Sequence, residues 1–537
     1  MDNQSAKRLP AELGLLLLLT AAGLFLRWID IHRSLWLDEL HTSWCVSGTL
    51  SEVAERASDG NQSPGYFYLV WSVISLLGQQ EWSLRLVSLV SGTLLVPLSW
   101  QVCRQLGVNS WLSLLAAAMI AVDPFFIEYS QEARPYALIQ LLALMQIRFF
   151  VYRIDRFPWE ANQAASAKWS DGNRIGWVVT GALLFQLHVT TALLSLGMFL
   201  FLVGNFLTGD TRIRWKHLGL LLDFVVLSVI CTPLLGHLLR ISERRQNWDL
   251  FVNDYFYSDS LTYQLSIYFL PAVLLIVIAR FTHSLQKKEL RPVLALAACY
   301  LLPILLAWYS LKTGWAALYH QRYFLSGWPA SILLIALSWQ VLACRTWNWK
   351  PAIMLLAIGW SLFGGLYQNH LLQYLVANRF QQMPFESPWR EAIESLNEDP
   401  AAGPIYLFPN LIEDRTLGSV GQTNAPGKRL LAYCCFPVRG IYRLASDQVM
   451  PRPTLDRPRF QPGDIGALEE SGEAVLLIRG GQPQISEILN EFAQFGERNA
   501  LLIRDKPLEK RFPVRGAPGN AISIFRFSIG KAAPRSP

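Results

Sequence analysis

Apolar stretches of about 16 to 23 residues recur from Leu13 to about Tyr367, each long enough to cross the ~30 Å hydrocarbon core of a bilayer. Short polar loops separate them. Hydropathy offers twelve such segments if the stretch PGYFYLVWSVISLL at 64–77 is counted. Counting it puts the loops holding Arg104, Arg148, Arg212, Lys287 and Arg345 outside the cell, against the positive-inside rule. Laying it flat puts them inside. At 14 residues, or ~21 Å of helix, it is short for a span, and its tyrosines and tryptophan suit an interface. Eleven spans remain, near 12–29, 82–103, 109–123, 135–153, 175–189, 191–207, 218–236, 262–280, 292–309, 322–343 and 351–369.

Beyond these the pattern changes. From about residue 380 charge, proline and glycine return. Ser387-Pro388 reads as the N-cap and first residue of a helix running to Leu396. Short apolar runs at 405–408, 429–433, 474–478, 500–503 and 521–527 read as strands. Ile485, Ile488, Leu489, Phe492 and Phe495 repeat at helical spacing. The expected architecture is a polytopic α-helical membrane protein with about 11 transmembrane helices and interfacial helices in the first outer loop. A membrane domain spans 1–375 and a soluble α/β domain 376–537. The topology places the N-terminus in the cytoplasm and the C-terminal domain outside, in a multi-pass protein of the cytoplasmic (inner) membrane.

Composition supports the bilayer: 52% of residues are hydrophobic and only 16% charged. The net charge of +7 is spread over loops instead of forming one basic patch, so it reports topology and excludes a nucleic-acid partner. The seven cysteines have no metal-ligand spacing, and the adjacent Cys434 and Cys435 suggest no disulfide framework.

The outward loops gather polar chemistry on one side of the membrane. The first holds SLWLDELHTSW, with Asp38, Glu39 and His41. An aromatic-flanked carboxylate at an interface is partly desolvated, which suits a base; equally, Asp38 and Glu39 can open a helix at 38–45 and stabilise its N-terminal dipole. Arg85 begins the next span. The stretch DPFFIEYSQEARPYAL adds Glu128, Glu132, Arg134 and Tyr136. Arg134 at a helix mouth can fork onto a phosphate, or pair with Glu128 or Glu132. Residues 319–324, YHQRYF, contribute His320, Arg322 and Tyr323, which also read as an aromatic belt with a snorkelling arginine.

Taken together, LWLDEL, SPGYFYLVWSVISLLGQQEWSLRLVSLVSG, DPFFIEYSQEARPYAL and HQRYFLSGWPA resemble the GT-C glycosyltransferases. The similar branch holds protein O-mannosyltransferases, aminoarabinose transferases and related polyprenyl-phosphate-sugar enzymes. The resemblance implies that Asp38 deprotonates the acceptor hydroxyl, with Glu39 beside it, and that Arg85, Arg134 and Arg322 hold the donor phosphate. It implies a polyprenyl-phosphate sugar as donor and a lipid, glycan or protein as acceptor. Where many relatives have His-Pro-Pro, this chain has Gln62-Ser63-Pro64, so no histidine role carries over there. His41 stands where aminoarabinose transferases carry a basic residue.

The reaction's physics runs parallel. Sugar transfer from a phosphate develops positive charge at the anomeric carbon and negative charge on the leaving phosphate, which calls for arginines behind the phosphate and a carboxylate opposite. The outer loops carry no nucleotide-binding fingerprint. They also lack an obvious Asp-X-Asp or Asp-X-Glu signature, so no cofactor is demanded and a divalent metal stays open. A transporter or flippase is the alternative. It would place charge near the midplane, whereas these spans are almost free of it apart from Asp223.

Overall fold

The computed structural model describes residues 3–29, 31–155, 172–208, 211–234, 287–314, 319, 321–345, 387–411, 413–418, 425–505, 510–513 and 520–531, with isolated positions at 236, 273, 352, 356 and 359. The helices of the first half are α1 (Asn3–Trp28), α2 (Leu37–Val46), α3 (Leu50–Asp59), α4 (Gly65–Leu77), α5 (Glu81–Gln105), α6 (Ser110–Val122), α7 (Pro124–Ser130), α8 (Tyr136–Asp155), α9 (Gly172–Leu187), α10 (Ala192–Thr208) and α11 (Thr211–Cys231). They are followed by α12 (Lys287–Lys312), α13 (Trp328–Arg345), α14 (Trp389–Glu398), α15 (Ala425–Cys434), α16 (Asp464–Ser471) and α17 (Gln482–Arg498).

Among the described residues, Pro10–Trp28, Glu81–Gln105, Tyr136–Ile154, Val189–Leu207 and Arg291–Lys312 are long and apolar enough to cross a membrane. A sixth candidate is α6 with α7, bent by 55°. Leu17, Phe25 and Val229 are between 64% and 70% exposed, side chains that lipid would cover and water would not favour. The spans expected at 262–280 and 351–369 lie, apart from the isolated positions 273, 352, 356 and 359, outside the described residues. The span expected from 322 begins instead with two 3-10 turns, Gln321–Tyr323 and Leu325–Gly327, and becomes α-helical at Trp328.

Contacts divide the chain otherwise than at residue 375. One unit comprises Met1–Ile31 and Arg85–Gln382; the other joins His32–Leu84 to Met383–Pro537. In the first unit α1 packs on α6, α8 on α9, α10 on α12, and α13 on α6 and α12. Asp223 is not an isolated charge: Arg153 pairs with it at 2.5 Å and Arg174 also bonds to it, all three largely buried. A carboxylate inside the bundle is thereby matched by cations from two neighbouring helices.

In the second unit a mixed sheet is built from β1 (Ile405–Phe408), β2 (Val449–Pro451), β3 (Glu473–Gly481), β4 (Leu501–Asp505), β5 (Lys510–Pro513) and β6 (Asn520–Lys531). Its order is β2-β1-β3-β6-β4, with β5 also on β6. β1 runs parallel to β2 and β3, while β6 runs antiparallel to β3, β4 and β5. Tyr406, Phe408, Phe460, Leu476, Ile478, Ile488 and Phe492 form its core. Burying each of these large side chains contributes roughly 1.5–3 kcal/mol before entropy is counted.

Two local expectations change. The run at 429–433 is not a strand but the second half of α15. Five residues of apolar pattern fit either period; the upstream Pro426 and the helix formers Lys428 to Ala432 decide it, burying Tyr433 and Cys434 on one face. α14 starts at Trp389, with Pro388 rather than Ser387 at the cap.

Candidate active site

The first-loop residues belong to the second unit. Asp38 and Glu39 stand in the first turn of α2, and Glu39 Oε2 accepts from Trp36 N at 3.3 Å. Wholly buried, Glu39 therefore holds the start of the helix. Asp38 is half-buried. Its carboxylate reaches Arg479 on β3: burial lowers the Arg479 pKa and Asp38 acts to raise it. Arg479 Nη1 also donates to Asn410 O at 3.2 Å.

One turn further, His41 is packed among the rings of Phe67, Tyr433 and Phe436, with centroids 5.5–5.9 Å away, and Cys45 Sγ lies 3.5 Å from its Nε2. The approach is close enough at α3's end that a Cβ on Gly60 would meet the imidazole at 2.3 Å. Polar ties continue the attachment of α2 to the C-terminal residues. Ile441 N donates to Ser43 Oγ at 2.8 Å, Leu35 N to Tyr442 Oη at 3.0 Å, and Ser34 Oγ to Ser387 O at 2.9 Å. Tyr442 Oη in turn donates to Glu81 Oε1 at 3.0 Å, and burial pushes its pKa up to about 12. The helix α4 buries Tyr66, Phe67 and Val70 in this unit and exposes Leu69, Leu76 and Leu77, the two-faced form of an interfacial helix.

The first unit holds the arginines. Asp123 ends α6 and caps α7, accepting from Phe125 N at 2.9 Å and Phe126 N at 3.3 Å, with Pro124 at the first helical position. This Asp-Pro step makes the bend. Arg27, wholly buried, holds the bend by donating to Ile120 O at 2.8 Å, Ala121 O at 3.1 Å and Ser130 Oγ at 3.1 Å. Gln131 Nε2 donates to Ile29 O at 2.7 Å, and Ser88 Oγ to Arg134 O at 2.8 Å. The segment from Asp123 to Tyr136 is thus fixed at both ends.

Within this frame Arg134 and Arg322 converge on one ring. Their guanidinium carbons lie 5.9 and 5.8 Å from the Tyr136 centroid. Glu128, Glu132 and Arg322 are all within electrostatic reach of Tyr129, whose ring meets Tyr136 at 5.2 Å. Trp328 packs against Phe125 and Tyr129, joining the start of α13 to the bend. Arg85 is placed differently: it is wholly buried and donates to Ile31 O at 2.8 Å. Tyr323 sits against His188, ring centroids 5.5 Å apart. His320 lies outside the described residues. Among those described, no three His, Cys, Asp or Glu side chains group as a metal site.

Residues 61–232 match the model of the dolichyl-phosphate-mannose-protein mannosyltransferase family, a stretch that includes α4, Arg85 and Arg134. No curated protein matches the chain by sequence. Among solved structures, ArnT from Cupriavidus metallidurans in the apo state superimposes with a TM-score of 0.53 at 13% identity, covering 96% of this chain and 98% of that one. ArnT bound to undecaprenyl phosphate gives 0.51 at 14% identity with the same coverage. The chain shares the fold of ArnT. The similarity runs through both units, while the family match leaves out Asp38 and Arg322.

Two further candidates escaped the sequence reading. In the sequence His188 is a polar residue between two apolar stretches, and nothing there pairs it with Tyr323. Arg479 ends the apolar run of β3, where a single arginine reads as a strand edge.

Proposed function

We propose that this chain is an inverting GT-C glycosyltransferase that moves one sugar from a polyprenyl-phosphate donor to a lipid, glycan or protein acceptor at the outer face of the cytoplasmic membrane. The observation that carries the reading is the convergence of Arg134 and Arg322 on Tyr136 from distant parts of the chain. Two forked, permanently charged donors at one ring are the group a phosphate monoester or diester calls for. The solved ArnT with undecaprenyl phosphate bound and the dolichyl-phosphate-mannose family match support the same donor class.

In this reading Asp38 takes the proton of the acceptor hydroxyl. The acceptor oxygen attacks the anomeric carbon from the side opposite the phosphate, the carbon–oxygen bond to phosphate breaks, and its electron pair leaves on the polyprenyl phosphate. Arg134 and Arg322 stabilise that charge, and Arg85 adds a third positive charge from a buried position. Glu39 orients Asp38 by holding the first turn of α2, and Arg479 lies within electrostatic reach of the Asp38 carboxylate. Glu128, Glu132, Tyr136 and Tyr323 stand with the arginines of the first unit, and His41 stands one turn from Asp38 in the second.

Purified protein offered a panel of polyprenyl-phosphate sugars should release free polyprenyl phosphate only in the presence of acceptor. Asp38→Asn should lower that rate about 10²- to 10⁴-fold, the usual worth of a general base, with donor binding retained. Full turnover by a folded Asp38→Asn protein overturns the assignment.

A further inference from the structure

The second unit contains a hollow of about 570 Å³ that the transfer chemistry does not use. It opens where the parallel strands end. Arg452, the residue after β2, still donates its backbone N–H to Leu407 O at 2.8 Å, so its side chain leaves the sheet at the carboxyl ends of β1 and β2. Ligands of open α/β sheets gather at that edge, where strands stop and helix N-termini begin. Here the helix is α16, whose first residue, Asp464, also lines the hollow.

The lining is part apolar and part cationic. Trp44 from α2 and Leu431 from α15 are among the apolar residues; Arg439, Arg452, Gln461 and Asp464 are the polar ones. Asp464 is already matched, because Arg452 bonds to it. Among the described residues the quarter-exposed Arg439 pairs only with Asp447, 3.7 Å away and 94% exposed, and its bonds to Leu444 O and Ser446 O are long, at 3.4 and 3.3 Å. Arg452, 6% exposed, also has an Nε with no hydrogen-bond partner. A buried donor left without an acceptor costs about 1–3 kcal/mol, so the hollow gains from an occupant that accepts hydrogen bonds.

We propose that this hollow binds a phosphorylated sugar, as the recognition subsite for an anionic acceptor. The volume suits a pyranose with its phosphate. The apolar lining suits the ring's C–H groups, and the Arg439 charge and the unpartnered Nε–H of Arg452 suit the anion. The acceptor role rests on the transferase reading; the binding does not.

The test uses the full chain in lipid nanodiscs, with glucose 6-phosphate, glucose and inorganic phosphate as probes, read by calorimetry. Glucose 6-phosphate should bind at least about tenfold more tightly than either fragment, as a charge-assisted contact added to a sugar pocket requires. Arg439→Gln should weaken it about tenfold, and Ala432→Trp, on the exposed rim, should block it. Both variants should still bind undecaprenyl phosphate, which shows that they fold. Loss of glucose 6-phosphate binding in discs of phosphatidylglycerol but not phosphatidylcholine identifies a lipid headgroup as the natural source of the anion; equal binding in both identifies a glycan. The proposal is overturned if glucose or phosphate alone binds as well as the sugar phosphate, or if both variants bind it normally. A failure of donor turnover with binding intact would count against the transferase reading alone.

Discussion

Alanine at Arg134 and Arg322, singly and together, tests whether the two guanidinium groups act on one ligand. Each lies just under 6 Å from the Tyr136 centroid, so the two charges are no more than about 12 Å apart. At that distance and an effective dielectric of ~20 they repel by about 1.4 kcal/mol, partly offset by Glu128 and Glu132. A phosphate between them turns repulsion into two charge-assisted contacts worth about 1.5–3 kcal/mol each. Each single variant should therefore bind undecaprenyl phosphate about 10- to 100-fold more weakly. The double variant should lose less than the product of the two, because a phosphate that has lost one guanidinium shifts onto its remaining partners before the second is removed. Arg134→Lys should recover only part of the loss, since a point charge lacks the fork. Binding to purified protein in nanodiscs at low and high salt is the assay. Strict additivity, or unchanged binding in both single variants, would refute a shared phosphate.

Two further outcomes follow from buried contacts. Asp414 is fully buried and accepts from Thr454 Oγ at 2.7 Å, Thr454 N at 3.2 Å and Leu411 N at 3.1 Å, yet burial outweighs these bonds and pushes its carboxyl up to about 6. Its folded pKa is above the unfolded value, so its contribution to stability is complete below about pH 4 and is lost as pH rises through 6, a change of about 3 kcal/mol. Unfolding midpoints of the C-terminal unit should fall across that window in the parent and fall less in Asp414→Asn; parallel profiles would contradict this. A Cβ at Gly92 would lie 1.8 Å from Ser130 Oγ. Gly92→Ala should cost about 1–3 kcal/mol and weaken donor binding by displacing the segment that carries Arg134, with recovery on adding Ser130→Gly. Unchanged donor binding in Gly92→Ala would show that α7 does not set the arginine's position.

The membrane bundle and the α/β unit were legible because their signals are long or repeated: apolar runs for α5, α8 and α12, a helical stripe for α17, and the central strands β1, β3 and β6. Short elements were less so. β2 and β5 have three and four residues and pair at sheet edges, where little burial constrains sequence. The 429–433 run fitted two periods and was settled by context. At the site, charge type and loop position pointed to Arg134 and Arg322, but their meeting at Tyr136 is a property of packing. The same holds for Arg479 and Asp38, joined by a strand distant in sequence. Glu39 shows the reverse: the helix-opening role open to it from sequence alone is the one it occupies.

The packing of His41 on Tyr433 and Phe436 also orders events in time. A ribosome delivers α2 among the first residues of the chain, while the rings that receive it arrive hundreds of residues later. Asp38 therefore spends most of synthesis on a helix without its seat, and acquires a fixed position only when the C-terminal unit closes around it. On the proposed assignment of Asp38 as the base, any truncation ahead of α15 would leave the arginines of the first unit in place and Asp38 without the rings that seat its helix.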